Sequence, residues 1–275
     1  TLAAGEHFLL GRNLIALQTK YPGLVVNGLY SGNLNNAGET LRLSTPGGET
    51  ILEVTCDEAP PWPVTADGLG WSLVLDDAVA GTYRPSTMVG GSPRADDPPS
   101  TTPPIQINEI LAHTDPPLSD SVELFNPTGS PVNIGGWYLS DDAAVPKKYR
   151  IPTGVTIPAH GFLVFNESHF NVGPNAFALS SLGDEIYLFA ANAQGDLTSY
   201  VDGAVFEATF NGVSLGRYVN SLGEYQFVAM TERTLGATNA QPVIGPVVIS
   251  EIMFQPPRIG GNENYEDEFV ELQNI

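Results

Sequence analysis

Two well-separated stretches of this chain carry the same order of residues, and a chain that repeats a segment of this size folds as a series of similar units. Ile105–Asn126 opens IQINEIL and closes SVELFN, while Val247–Ile275 opens VVISEIM and closes EFVELQNI. Each holds an alternating strand, a Pro-Pro loop (Pro116-Pro117 and Pro256-Pro257), an acidic patch and a Val-Glu-Leu strand. Ile107, Glu109 and Ile110 thus correspond to Ile249, Glu251 and Ile252, and Val122, Glu123, Leu124 and Asn126 to Val270, Glu271, Leu272 and Asn274. The N-terminus repeats another part of the pattern. Thr1–Leu10 aligns without a gap on Thr156–Phe165, Gly38–Leu43 on Gly183–Leu188, and Gly70–Leu73 on Gly212–Leu215. The expected division is residues 1–95, a unit lacking its opening strands; a Pro-rich linker, 96–104; a complete unit, 105–242; and the opening strands of a third, 243–275. The joints, GGSPRADDPPSTTPP and ATNAQPVIGP, have the composition of semi-rigid spacers, so the units should form a stiff string.

Within the complete unit the hydrophobic period is two. Ile105 and Ile107 share a face from which Gln106 and Asn108 point away. Short runs follow at Val122–Phe125, Trp137–Leu139, Phe162–Phe165, Glu185–Phe189, Leu197–Val201 and Val213–Tyr218, separated by turn signals such as Gly135-Gly136 and Gly195-Asp196. Many short strands closely spaced by turns describe an all-β chain of antiparallel sandwiches. The expected core is Ile107, Ile110, Val122, Leu124, Trp137, Ile186 and Leu188, with Trp71 locking the sheets of the first unit. Trp62, between prolines, is expected to be the most exposed tryptophan, and Phe8–Lys20 to hold one short helical turn at most.

The order of Ile105–Ile110, Val122–Pro127, Ile134–Asp141, Ile151–Phe165 and Leu179–Leu188 resembles the lamin-tail domain in its prokaryotic form. In the first unit, Pro61-Trp62-Pro63, Asp67–Leu73 and Gly90–Pro93 resemble it too. The resemblance implies an immunoglobulin-like β-sandwich, hence tandem immunoglobulin-like sandwiches along the chain. The complete unit departs from the pattern at Phe206–Asn211, where the Trp-Pro and Asp-Gly pieces would stand.

A net charge of −20 with 11 basic residues excludes a nucleic-acid surface, which needs clustered Lys and Arg. The four histidines have no metal-ligand spacing, and no nucleophile elbow, P-loop or dinucleotide fingerprint is present, so no catalytic site and no cofactor are expected. Cys56 stands alone, which rules out an internal disulfide, and reads as a small apolar residue on a strand. Carboxylates are plentiful, and calcium is the one ion they suit. Glu109, Asp120 and Glu123, where the opening strand meets its acidic loop, are the candidate ligands. No run reaches the roughly 18 apolar residues of a membrane span. The expected function is a non-enzymatic structural or interaction segment of a large extracellular, cell-surface or filament-forming protein. Its partners would be neighbouring repeats, other copies of itself or matrix proteins. The incomplete end units read first as an excerpt of a longer polypeptide whose missing strands lie in covalent continuity, and second as head-to-tail strand complementation, the third unit's opening strands completing the first. Open alternatives are an accessory binding module of a secreted multidomain enzyme and a calcium-dependent adhesion module.

Overall fold

The computed structural model describes residues 2–57, 62–220, 223, 225–243 and 247–274. Thr1, Pro61, residues 244–246 of the second joint and Ile275, all used in the reading above, lie outside the described residues. The N-terminal part runs β1 (Leu10–Gly11), α1 (Leu14–Lys20), β2 (Gly28–Leu29), β3 (Glu39–Ser44), β4 (Thr50–Cys56), β5 (Leu73–Asp77) and β6 (Thr82–Pro85). The central part opens with β7 (Gln106–Leu111), β8 (Ser121–Phe125), β9 (Val132–Asn133), β10 (Tyr138–Ser140), β11 (Tyr149–Arg150), β12 (Thr156–Ile157) and β13 (Phe162–Asn166). It continues through α2 (Glu167–Phe170), β14 (Gly183–Ala191), β15 (Leu197–Glu207), β16 (Leu215–Val219) and β17 (Tyr225–Ala229). β18 (Val247–Met253) and β19 (Phe269–Asn274) close the chain.

The central part is an antiparallel sandwich. One sheet has the order β13-β8-β7-β16-β17 and the other β11-β10-β14-β15, with a small β12-β9 pair beside them. Alternation, shifted by one residue at a bulge after Ile107, sends Ile107, Ile110, Val122 and Leu124 of the first sheet inward to meet Leu139, Ile186 and Leu188 of the second; all seven are fully buried. Trp137 lies in the same core, 7% exposed. The chain is all-β as expected, but the helical expectation was too low. Asn13 caps α1 by accepting the Ala16 N–H at 3.0 Å, and the helix runs seven residues rather than one turn. α2 was not foreseen. Among the described residues no helix is long and apolar enough to cross a membrane.

Trp71 is buried, but not between two sheets of its own unit. Its ring lies 6.4 Å from that of Phe189 in a cluster with Tyr138 and Tyr187, on the outer face of the β11-β10-β14-β15 sheet. β14 therefore buries both faces: Ile186 and Leu188 inward, Tyr187 and Phe189 under Trp71. The N-terminal part packs sideways on the sandwich through this contact. Trp62 is half-buried and packs on Tyr83, with ring centres 5.3 Å apart, and is the least buried tryptophan.

Gly203 makes room for this aromatic layer. A Cβ at Gly203 would stand 2.5 Å from Tyr187 Cδ1 and 2.7 Å from Tyr200 Oη. Gly203→Ala should therefore cost about 1–3 kcal/mol through overpacking. Urea unfolding of the two chains would read this, and an unchanged midpoint would show that the tyrosines move aside freely.

Candidate interaction site

The central strand β7 carries a bulge. Ile107 faces Leu124, Glu109 faces Glu123 and Ile110 faces Val122, with the register shifting between Ile107 and Glu109. The extra residue turns both glutamates to the same side, where they are fully buried. A buried carboxylate must be hydrogen-bonded, and the loop after β17 supplies the donors. Thr234 gives its N–H to Glu109 at 2.9 and 3.2 Å and its Oγ1 hydroxyl at 2.7 Å. The Gly236 N–H binds Glu123, and Asn108 Nδ2 reaches Glu123 at 2.7 Å. Asn108 and Asn239 close the set at 2.7 and 3.1 Å. Two carboxylates on the opening hairpin thus strap down a loop more than a hundred residues away. Burial pushes the Glu123 carboxyl up to about 7; the bonds from Gly236 and Asn108 oppose this, and Glu109 reinforces it.

Of the three proposed calcium ligands, the structure brings Glu109 and Glu123 together and leaves Asp120 out. Asp120 instead accepts Thr114 Oγ1 at 2.7 Å, and burial raises its carboxyl above the ordinary range. Among the described residues no group of three or more His, Cys, Asp or Glu is placed to hold a metal ion. In this arrangement backbone and hydroxyl donors occupy both glutamates. Millimolar calcium should accordingly leave the melting temperature unchanged; a rise with calcium concentration would mean that an ion displaces the Thr234–Gly236 loop.

The same hairpin occurs a second time in β18–β19. β18 and β19 pair Ile249 with Leu272, Glu251 with Glu271 and Ile252 with Val270, and the register shifts between Ile249 and Glu251. Bulge and pairing match β7–β8 step for step. Ser250 stands at the Asn108 position, and its hydroxyl binds Glu271 as Asn108 binds Glu123. Burial is where the hairpins differ. Ile249, Ile252, Val270 and Leu272 are 60%, 55%, 60% and 65% exposed, whereas their β7–β8 counterparts are each 0% exposed.

The N-terminal part holds counterparts of the remaining elements. Gly5 and His160 both have positive φ, 80° and 51°, in turns closed by Glu6 N–H to Ala3 O and Gly161 N–H to Pro158 O, each at 3.0 Å. Gly38 and Gly183 open β3 and β14 at φ 105° and 112°, where a Cβ would press on the partner strand's carbonyl at 2.8 and 3.0 Å. The β3–β4 register shifts after Leu43, as β14–β15 shifts after Leu188. Leu41 and Leu43 are 49% and 58% exposed, while Ile186 and Leu188 are buried. Among the described residues strand β5 pairs with β6 alone, but its counterpart β16 also pairs with β7. Cys56, expected as a buried apolar residue, is half-buried at the end of β4, its thiol 3.4 Å from the Glu39 carbonyl.

Sequence comparison places residues 98–203 in the Lamin Tail Domain family model. That stretch runs from the Pro-rich linker to Gly203 in β15 and contains the β7–β8 hairpin with both buried glutamates. No curated protein matches the chain, and neither does any solved structure.

Proposed function

Starting from the lamin-tail sandwich at its centre, we propose that this chain is a non-catalytic structural and interaction segment of a large extracellular or cell-surface assembly. In this reading successive lamin-tail modules are joined in series, and open halves complete one another head to tail. The observation that carries it is the agreement between the two hairpins in register, bulge and cross-strand bond, together with the difference in exposure of their apolar faces. An isolated two-stranded hairpin is marginally stable in water. Four large aliphatic side chains on one face of such a hairpin favour burial against a partner. The acidic surface, at net charge −20, keeps such chains soluble and makes contacts between copies depend on specific pairing rather than general stickiness.

The test is a concentration series of the chain by light scattering, followed by electron microscopy. Growth to linear particles with concentration supports the reading. A monomer at every concentration would remove head-to-tail assembly of isolated chains.

A further inference from the structure

Beside the free edge of β5 lies a groove of about 540 Å³, bounded by Ser72–Leu75, Arg84 and the loop Gly90–Asp97, with His7 at its rim. Its position corresponds to that of β7 in the central sandwich. There, β7 lies along β16, with Leu215 opposite Ile110 and Gly216 opposite Glu109, beneath the Thr234–Gly236 loop. The loop over the groove has the same build. Ala95 N–H closes on Ser92 O at 3.0 Å as Ala237 N–H closes on Thr234 O at 2.8 Å, and Arg94, at φ 68°, takes the place of Gly236, at φ 91°. Ser92 is therefore the counterpart of Thr234 in its backbone N–H, while its hydroxyl donates to Asp97 Oδ1 at 3.3 Å, and the Arg94 N–H is the counterpart of the Gly236 N–H.

We infer that this groove is a seat for the β18–β19 hairpin of a second copy of the chain. The strand enters in the register that sets Ile252 opposite Leu73 and Glu251 opposite Val74. Glu251 is received by the N–H of Ser92, and Glu271 by the N–H of Arg94. The proposal rests on the head-to-tail reading and names the site and contacts through which it would operate.

Three features favour this occupant over an arbitrary strand. The hairpin already has the bulge that turns two glutamates to one side, and a strand without that bulge would present only alternate residues. The hairpin's apolar face is the counterpart of the face that β7 and β8 bury against Ile186 and Leu188, and the matching residues Leu41 and Leu43 are exposed in the N-terminal part. The N–H groups of Ser92 and Arg94 suit an acceptor-only pair of side chains and would stay unsatisfied against an apolar strand. Val74 stands where the central sandwich has Gly216, and one donor position differs as well. Where Asn239 donates to the Asn108 carbonyl, the seat has Asp97, which cannot donate. Asp97 is held by Arg84 Nη1 at 2.7 Å and by the Thr87 N–H at 3.0 and 3.2 Å, so its charge is met before any strand arrives.

The experiment uses the 275-residue chain in a Cys56→Ser background. One chain carries Leu73→Cys, and the other carries either Ile252→Cys or Ile249→Cys. Mild oxidation of equimolar mixtures should give several-fold more cross-linked dimer with Ile252→Cys than with Ile249→Cys. In light scattering, Glu251→Gln with Glu271→Gln should weaken association at least tenfold while leaving the central sandwich's unfolding transition in place. Association that cross-links equally at both positions, or that ignores the two glutamines, would overturn this seat and leave head-to-tail assembly standing. No association of the unsubstituted chain at any concentration would overturn both.

Discussion

Replacing Arg217 with methionine should cost about 3–5 kcal/mol of stability, because the change strands a carboxylate between the two sheets. Arg217 on β16 reaches across the sandwich to Asp202 on β15; their side chains are 9% and 17% exposed. The same carboxylate oxygen accepts the Ile107 N–H at 2.7 Å, and Arg217 Nε donates to the Ile107 carbonyl at 2.7 Å. Tyr225 and Phe227 flank the guanidinium, with ring centres 4.9 and 5.2 Å away, and shield it from solvent. Burial pushes the Asp202 carboxyl up, and Arg217 and the Ile107 N–H oppose that push. Without Arg217 the burial cost stands uncompensated. Removing the carboxylate as well, in Arg217→Met with Asp202→Leu, should recover part of the loss. The rest remains because the Ile107 amide and carbonyl lose their partners. Urea unfolding of the two single variants and the double variant forms a cycle. A coupling energy near zero would show that water screens the pair and that the sheets are joined by apolar packing alone.

The sandwich could be read from the sequence because its strands follow a period of two. Ile107, Val122, Leu124, Ile186 and Leu188 lie in the core where alternation puts them, and Ile110 joins them because the bulge after Ile107 shifts the period by one residue. The direction of Trp71 could not be read this way. Periodicity says that a residue is buried but not against which surface, and Trp71 covers the outside of a neighbouring sheet. A signal for that contact was present in β14, whose Ile186-Tyr187-Leu188-Phe189 is apolar on both faces, the mark of a strand covered twice. α1 was missed because Leu14, Ile15 and Leu17 bury no stripe; the Asn13 cap and local bonds hold the helix instead. The glutamates were recognised as special residues but given the wrong partner. Their donors are mainly backbone N–H groups of Thr234 and Gly236, and a backbone donor far along the chain leaves no side-chain signature. What does show the clamp is the pair of glycine-like turns, Gly236 and Arg94, and those emerge only from φ.

Glu123 should make stability depend on pH across the neutral range. The folded carboxyl titrates at about 7, and the ordinary value is 4.5. Because the folded value is the higher one, the folded state holds its proton between these limits while the unfolded state has released it. Stability from this group is thus fully present below pH 4.5 and falls as the pH rises through 7. The loss amounts to something on the order of 3 kcal/mol. The melting temperature should therefore fall between pH 5 and pH 8, in solutions of constant ionic strength. Glu123→Gln has no proton to release, so its melting curve should be flatter by that amount over the same range. Its absolute melting temperature is the less informative quantity. The new amide must turn an N–H toward Gly236 or Asn108, both donors, and some stability is lost at every pH. The difference in slope separates the proton from the lost bond, and histidines contribute equally to both chains. A Glu123→Gln variant as steep as the parent would place the titration elsewhere and leave the Glu109–Glu123 pair as a purely geometric clamp.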